Sequence, residues 1–95
     1  MKSEVEKHLI IKGRVQGVGF RYFTKKNAES LGVQGWVKNL SNGDVETVIQ
    51  GEEDQVKEMI NYLKSGPVSA KVEEVREVDE SEKLHQSYDN FSIIG

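Results

Sequence analysis

The sequence predicts an α+β fold in which two helices cover one face of an antiparallel sheet. Segments with helical spacing alternate with short aliphatic runs in the order β-α-β-β-α-β, and a short final strand follows. This order is the split βαβ plan, in which one sheet and one layer of helices enclose a single core. A chain of 95 residues suits one domain, so we predict a single domain over 1–95 with its core over about 8–94.

The first strand and the first helix account for the amino-terminal third of the chain. Residues 1–6 are expected to form a loose terminus, whereas the aliphatic residues of 8–15 predict a strand. Apolar residues then recur at helical spacing from Phe20 to Leu31, and Gly32 is a natural helix end.

A β-hairpin and a second helix are predicted next. Strands over 33–40 and 44–50 flank a Ser-Asn-Gly turn, which is typical of a hairpin. The second helix has acidic residues at its start and Gly66-Pro67 after its end. Its apolar residues follow i, i+3, i+4, i+7 spacing: Val56, Met59, Ile60 and Leu63.

The last third of the chain is less regular. Valines recur every three residues over 71–79, which fits neither a helix nor a strand, and we expect a strand that begins near Glu74. A polar loop over 80–90 and a final strand over 91–94 complete the prediction.

Composition narrows the kinds of site that the chain can contain. There is no cysteine, which excludes disulfides and thiolate metal sites, and neither His8 nor His85 has partners at ligand spacing. The longest aliphatic run near the start is Leu9-Ile10-Ile11, too short for a signal peptide or a membrane span. The expected location is cytoplasmic, with no membrane association.

Charge is distributed unevenly along the chain. Residues 1–40 contain eight Lys and Arg against three Glu, whereas residues 41–95 contain five against thirteen acids. The acidic half argues against a broad nucleic-acid surface, which needs many cations along one face. A local positive field in the first half suits a small anion better than a polymer.

The connection between the first strand and the first helix has three features of an anion site. The helix start lacks a Ser, Thr, Asp or Asn cap, so its leading N–H groups have no side-chain acceptor. The first turns carry Arg21, Lys25 and Lys26 at the end where a helix dipole favours anions. Gly17 and Gly19 allow backbone amides to approach a ligand closely. A bound phosphoryl group would satisfy all three, although a glycine-rich turn before a basic helix is the simpler alternative.

Two motifs make the prediction more specific. Gly13-Arg14-Val15-Gln16-Gly17-Val18-Gly19-Phe20-Arg21 resembles the G-x-V-Q-G-V-x-F-R motif of the acylphosphatase family. A second motif of that family is matched by Gly35-Trp36-Val37-Lys38-Asn39, then Gly43 and Val45, then Gly51. The resemblance extends from about His8 to Ile93, and the fold it implies is the ferredoxin-like split βαβ sandwich.

The resemblance also implies an activity and a site. The expected reaction is the metal-independent, cofactor-free hydrolysis of an acyl phosphate to a carboxylate and inorganic phosphate. Arg21 and Asn39 are the implied catalytic residues: Arg21 binds the phosphoryl group and Asn39 positions the attacking water. The implied phosphate-binding loop consists of Gln16, Gly17, Val18, Gly19, Phe20 and Arg21, acting through backbone amides. The expected partner is a small-molecule acyl phosphate, and the expected state is a monomer.

Two other functions remain open from the sequence. The same fold could bind a phosphoanion or carbamoyl phosphate without catalysis, as acylphosphatase-like domains inside larger maturation proteins suggest. It could also bind RNA through aromatic residues on the sheet, although the acidic second half and the lack of paired aromatics on adjacent strands oppose this.

Overall fold

The computed structural model describes residues 3–78 and 87–95, and within this part of the chain two helices pack on a five-stranded mixed sheet. The two helices contact each other and therefore share one face of the sheet. The strand order is β4-β1-β3-β2-β5. In chain order the elements are β1 (Glu4–Arg14), α1 (Phe20–Leu31), β2 (Gln34–Asn39), β3 (Val45–Glu52), α2 (Glu53–Ser65), β4 (Lys71–Glu77) and β5 (Phe91–Ile93). The predicted α+β class and the order of elements are confirmed.

The hydrophobic core lies between the sheet and the helices. Side chains alternate between the two faces of a strand, so every second residue of the central strands β1 and β3 faces the helices. These residues are buried, as are the α2 residues at the predicted helical spacing, and Ile60 packs against the same core. The buried set from these three elements is Leu9, Ile11, Val45, Ile49, Val56, Met59 and Leu63.

Helix α1 has the bounds that the sequence predicts. Phe20, its first residue, is buried in the core and fixes the start of the helix against the sheet. The helix ends before Gly32, which adopts a left-handed conformation (φ 72°) and donates its N–H to the carbonyls of Ala28 and Glu29. Glycine takes this conformation at little cost, which explains the sharp end of the helix.

The expectation of a loose terminus over residues 1–6 is wrong from Glu4 onward. Strand β1 begins there and pairs antiparallel with β3 from Glu4 opposite Glu52 to Ile11 opposite Val45. The charged residues at the start of β1 show no apolar pattern, yet the backbone hydrogen bonds of the ladder hold them in a strand. Pairing with a distant strand is not visible in a local pattern.

Strand β4 begins earlier than predicted, and a β-bulge explains why its pattern is irregular. Lys12 of β1 lies opposite Glu74, whereas the next residue, Gly13, lies opposite Val72, so β4 contains one extra residue at this point. The bulge brings Val72 and Val75 to the same side of the sheet, where both pack against the core. Their three-residue spacing therefore belongs to a strand.

Strand β5 makes the sheet mixed, where the sequence predicts an antiparallel sheet. The strands β4, β1, β3 and β2 are antiparallel to their neighbours, but β5 pairs parallel with β2, with Val37 opposite Ile93. A chain that leaves β4 and reverses direction must run parallel to β2, because β2 and β4 point in opposite directions. Most of the predicted polar loop over 80–90, together with His85, lies within 79–86, outside the described residues.

Candidate active site

The connection from β1 to α1 leaves the first amides of the helix outside the hydrogen-bonded ladder. Gly17 (φ 75°) and Gly19 (φ 79°) both adopt left-handed conformations, which other residues rarely take. Gly19 is the N-cap, and it provides no side-chain acceptor. The first helical hydrogen bond runs from the Phe23 N–H to the Gly19 carbonyl (3.0 Å). The N–H groups of the first helical turn therefore precede the ladder, as at any helix start, and here no side-chain cap compensates.

Open space lies next to both glycines. A Cβ built on Gly17 or Gly19 would meet no other atom within 4 Å. These glycines are thus required by the backbone conformation rather than by crowding. The loop borders a region that a ligand can enter.

The side chain of Gln16 joins this loop to the β2–β3 hairpin. Its Nε2 donates to the carbonyl oxygens of Leu40 (2.7 Å) and Asp44 (2.9 Å). The Leu40 N–H in turn donates to the Asp44 carbonyl (2.8 Å), and Lys12 Nζ lies 2.7 Å from a carboxylate oxygen of Asp44. The loop and the hairpin are therefore held in one arrangement. The side-chain amide of Gln16 therefore connects the loop to the hairpin. The phosphate binding that the sequence predicts for Gln16 concerns its backbone N–H instead.

Asn39 is the last residue of β2 and lies directly before the hairpin that Gln16 holds. Its Oδ1 is buried and has no hydrogen-bond partner within the described residues. A buried polar atom without a partner is uncommon, because the desolvation of such an atom costs about 1–3 kcal/mol. The position of Asn39 suggests that a ligand or a water supplies the missing bond.

Arg21 and Asn39 line the same cavity, although they are 18 positions apart in sequence. The cavity has a volume of about 290 Å³. Arg21 Nη1 also donates to the Gly95 carbonyl oxygen, which orients the guanidinium toward the end of β5. The described residues around the cavity are Val15, Gly17, Gly19, Phe20, Arg21, Tyr22, Asn39 and Ile93. The cavity thus brings together one cation, one unsatisfied amide oxygen and the start of a helix.

The remaining predicted residues take other positions. Val18 packs against the hydrophobic core. Lys38, which precedes Asn39 in the second motif, alternates with the inward-facing Val37 and so points to the opposite face of the sheet. There its Nζ lies 3.7 Å from Glu46 and 5.7 Å from the centre of the Trp36 ring. Lys38 therefore does not belong to the cavity.

Sequence reasoning missed three cavity residues, Val15, Tyr22 and Ile93. Tyr22 follows Arg21 directly but carries no chemistry that a motif would single out. Ile93 reaches the cavity because β5 pairs with β2, and no local pattern encodes that pairing. Tyr22 is at least adjacent to Arg21 in the sequence, whereas Ile93 required the fold.

The structure also bears on metal binding and on membrane spanning. Among residues 3–78 and 87–95, no group of three or more His, Cys, Asp or Glu side chains is arranged to hold a metal ion. Neither helix in these ranges is long and apolar enough to cross a membrane.

Comparison with known proteins identifies the family. The family model for acylphosphatase matches residues 7–93, nearly the whole chain. The chain belongs to the acylphosphatase family. An acylphosphatase of Methanothrix thermoacetophila is 45% identical over 86 residues, which cover 88% of this chain and 90% of that protein. The crystal structure of acylphosphatase from Bacillus subtilis, at 32% identity, covers 98% of this chain and 100% of that chain with a TM-score of 0.88.

Membership of the acylphosphatase family establishes the reaction. The protein is a hydrolase that converts acyl phosphates to a carboxylate and inorganic phosphate. The same fold also occurs within a larger protein: full-length HypF, in a phosphate- and nucleotide-bound form, matches 100% of this chain at 29% identity with a TM-score of 0.76. This chain covers only 12% of HypF. The acylphosphatase relatives, by contrast, are matched over most of their length.

Proposed function

We propose that the cavity at the start of α1 is the active site and that Arg21 and Asn39 are its catalytic residues. The observation that supports this most directly is that both side chains line one cavity beside an uncapped helix start. In the proposed complex, the phosphoryl group lies against the backbone amides of residues 16–21. The helix start and the guanidinium both favour a negative charge there.

Arg21 is the proposed phosphate-binding group. Its planar guanidinium can donate two parallel hydrogen bonds to phosphate oxygens and keeps its proton at any physiological pH. Charge on the transferring phosphoryl group is spread over its equatorial oxygens, so a fixed cation and fixed amides stabilise it without reorganisation. Catalysis at this site then consists of positioning and electrostatic stabilisation.

Asn39 is the proposed water-positioning group. A water that donates a hydrogen bond to the buried Oδ1 would satisfy this atom and would be held beside the phosphoryl group. An amide is neutral and cannot remove a proton from water near pH 7. The proton of the attacking water therefore goes to a phosphate oxygen in this proposal, and the enzyme supplies no general base.

The leaving group explains why the site can work without a general acid. A carboxylic acid has a pKa of about 4, so the carboxylate departs as a stable anion without protonation. We propose that neither a metal nor a cofactor takes part, because Arg21 and the backbone amides supply the positive charge that the phosphoryl group needs. Addition of a chelator should leave turnover unchanged.

We also propose that the substrate is a small molecule and not a nucleic acid. A nucleic-acid surface needs cations that are available along one face. Several cations on the strands of the sheet lie within 4 Å of carboxylates: Lys7 with Glu77, Lys12 with Asp44, Lys38 with Glu46, and Arg76 with Glu74. Tight binding in a gel shift at low salt would contradict this. A cytoplasmic location and a monomeric state stay predictions, and size-exclusion chromatography tests the second.

The experiment for the proposed site measures phosphate release from benzoyl phosphate by the purified protein, with and without orthophosphate. We expect turnover above the uncatalysed rate and competitive inhibition by orthophosphate, because product and substrate share one site. Orthophosphate binding without turnover would indicate a phosphoanion-binding module instead. Turnover with no inhibition by orthophosphate would place the reaction elsewhere.

A further inference from the structure

Two large apolar side chains at the cavity are exposed to solvent. Tyr22 is 67% exposed and Ile93 is 42% exposed, and both line the cavity that contains Arg21 and Asn39. A single exposed apolar residue is ordinary on a protein surface. Two of them beside a guanidinium and an unsatisfied amide are better explained by a ligand with an apolar part.

The fold places these side chains on elements that also carry the proposed catalytic groups. Tyr22 follows Arg21 in the first turn of α1. Ile93 lies in β5 opposite Val37, two positions before Asn39 in β2. Helix α1 packs against both strands, so Tyr22 and Ile93 approach the cavity from different elements. Each is fixed relative to one of the catalytic residues.

The cavity therefore has a polar part and an apolar part. Gly17, Gly19, Arg21 and Asn39 form the polar part, and the apolar wall consists of Val15, Phe20, Tyr22 and Ile93. None of the described residues around the cavity is acidic. An acyl phosphate has the same two parts, a dianionic phosphoryl group and an acyl group, joined through one oxygen.

The size of the cavity limits the acyl group. Its volume of about 290 Å³ is near the lower end of the range of roughly 300–1,000 Å³ that is usual for small-molecule sites. A water occupies about 30 Å³ in the liquid, so space remains beside a phosphoryl group for one compact acyl group. A large group such as a nucleotide would extend outside the cavity.

We propose that Tyr22 and Ile93 form an acyl subsite that selects substrates with an aromatic or branched apolar acyl group. This inference rests on the proposed function of the cavity. Binding such a group removes exposed apolar surface of both side chains from water, and the tyrosine ring adds an aromatic contact. A charged acyl group would lose its hydration without gaining a partner, because the phosphoryl group occupies Arg21.

The test compares kcat/KM for benzoyl phosphate and acetyl phosphate in the wild type and in Tyr22→Ser. The effect is read as the change in the benzoyl-to-acetyl ratio, which cancels the difference in intrinsic reactivity between the two substrates. We expect Tyr22→Ser to lower this ratio about 5- to 10-fold, the size expected for one lost aromatic contact. Ile93→Thr, which keeps the β-branch but makes the side chain shorter and more polar, should lower the ratio in the same direction. Tyr22→Phe should restore it.

Tyr62 provides a matched control. It is 40% exposed on α2 and does not line the cavity, so Tyr62→Ser should leave both activities unchanged. The orthophosphate inhibition constant of Tyr22→Ser shows that the phosphate site is intact in the folded variant. An unchanged ratio in Tyr22→Ser, or an equal loss on both substrates, would overturn the acyl subsite. Absence of turnover on both substrates in the wild type would instead overturn the proposed active site.

Discussion

The two helices of this protein begin in opposite electrostatic situations. Helix α2 has Glu53 and Asp54 in its first turn and Lys64 in its last turn. These charges interact favourably with the helix dipole at both ends. Helix α1 begins after Gly19 with no acidic residue in its first turn, and Arg21 lies there instead. The sequence thus neutralises the start of α2 and leaves the start of α1 positively charged.

This difference is what we expect if α2 has a structural role and α1 has the proposed role in binding an anion. The start of α2 carries its own acidic residues, whereas in the proposed function the start of α1 receives an anion that accepts its amides and pairs with Arg21. If this comparison is correct, substitutions near the start of α1 should change activity far more than stability. Substitutions on α2 should do the reverse.

The largest effect is expected for Arg21→Ala. This variant should lose roughly 100- to 1,000-fold or more in turnover, because one preorganised group both binds the phosphoryl group and stabilises its charge. Orthophosphate inhibition should disappear with it. Arg21→Lys should recover little, since an ammonium cannot donate two parallel hydrogen bonds. Steady-state kinetics with benzoyl phosphate measures both effects.

The control for Arg21→Ala is a cation on the other helix. Lys57 lies on α2 with its side chain 70% exposed, so Lys57→Ala should leave turnover unchanged. Because Arg21 also donates to the Gly95 carbonyl, thermal unfolding of Arg21→Ala should be recorded alongside the kinetics. A folded Arg21→Ala protein with normal turnover would remove the distinction between the two helix starts.

Asn39→Ala should separate catalysis from binding. The loss of the proposed water-positioning amide should lower kcat about 100-fold, while the inhibition constant of orthophosphate stays within about twofold of the wild type. Inhibition assays and initial rates on the same preparation provide both numbers. A parallel loss of kcat and of phosphate affinity would make Asn39 a binding group.

Gln16→Leu tests whether the loop and the hairpin must be held together. The substitution removes both hydrogen bonds from Nε2 to the carbonyls of Leu40 and Asp44. We expect kcat to fall about 10-fold, since a small displacement of Asn39 relative to the loop is sufficient to slow the reaction. The Leu40 and Asp44 carbonyls each keep one backbone donor, so the loss of the two side-chain hydrogen bonds should lower the free energy of unfolding by about 1–3 kcal/mol in total, measured by urea denaturation.

A double mutant shows whether Gln16 acts through Asn39. If Gln16 only positions Asn39, then Gln16→Leu should change kcat little once Asn39 has been replaced by alanine, because the two effects share one cause. Independent, multiplicative losses in the double mutant would assign Gln16 a separate role.

Local patterns in the sequence predict the part of the site that lies within one stretch of chain. The glycines, the missing cap and Arg21 all fall between residues 16 and 21, so their chemistry is readable without the fold. Asn39 has no such pattern, and it was predicted only through the family resemblance. Its approach to Arg21 depends on β2 packing beside α1.

The features that the sequence did not predict depend on pairing between distant segments. Tertiary contacts decide that β1 starts at Glu4, that β5 runs parallel to β2, and that a bulge opposite Gly13 sets the register of β4. The connection from Gln16 to the hairpin is of the same kind. The hydrogen bonds of the Gln16 side chain and the position of Ile93 at the cavity therefore require the structure.

The smallest expected effect concerns the helix starts themselves. Asp54→Lys reverses a favourable charge at the start of α2 and should lower the free energy of unfolding by about 0.3–1 kcal/mol.

Orthophosphate at ten times its dissociation constant should raise the free energy of unfolding by about 1.4 kcal/mol, because it binds only the folded state. The increment should be equal in wild type and in Asp54→Lys. Urea denaturation at matched ionic strength measures both quantities.

Arg21→Ala shows whether the increase in the free energy of unfolding with orthophosphate comes from binding at the start of α1. Phosphate also stabilises proteins generally by exclusion from their surface, and this contribution should persist when Arg21 is absent. Only the difference between the wild-type and Arg21→Ala increments therefore reports on the start of α1. If this difference is zero, or if Asp54→Lys changes the increment, then the anion is not bound at α1 and the two helix starts do not differ in function.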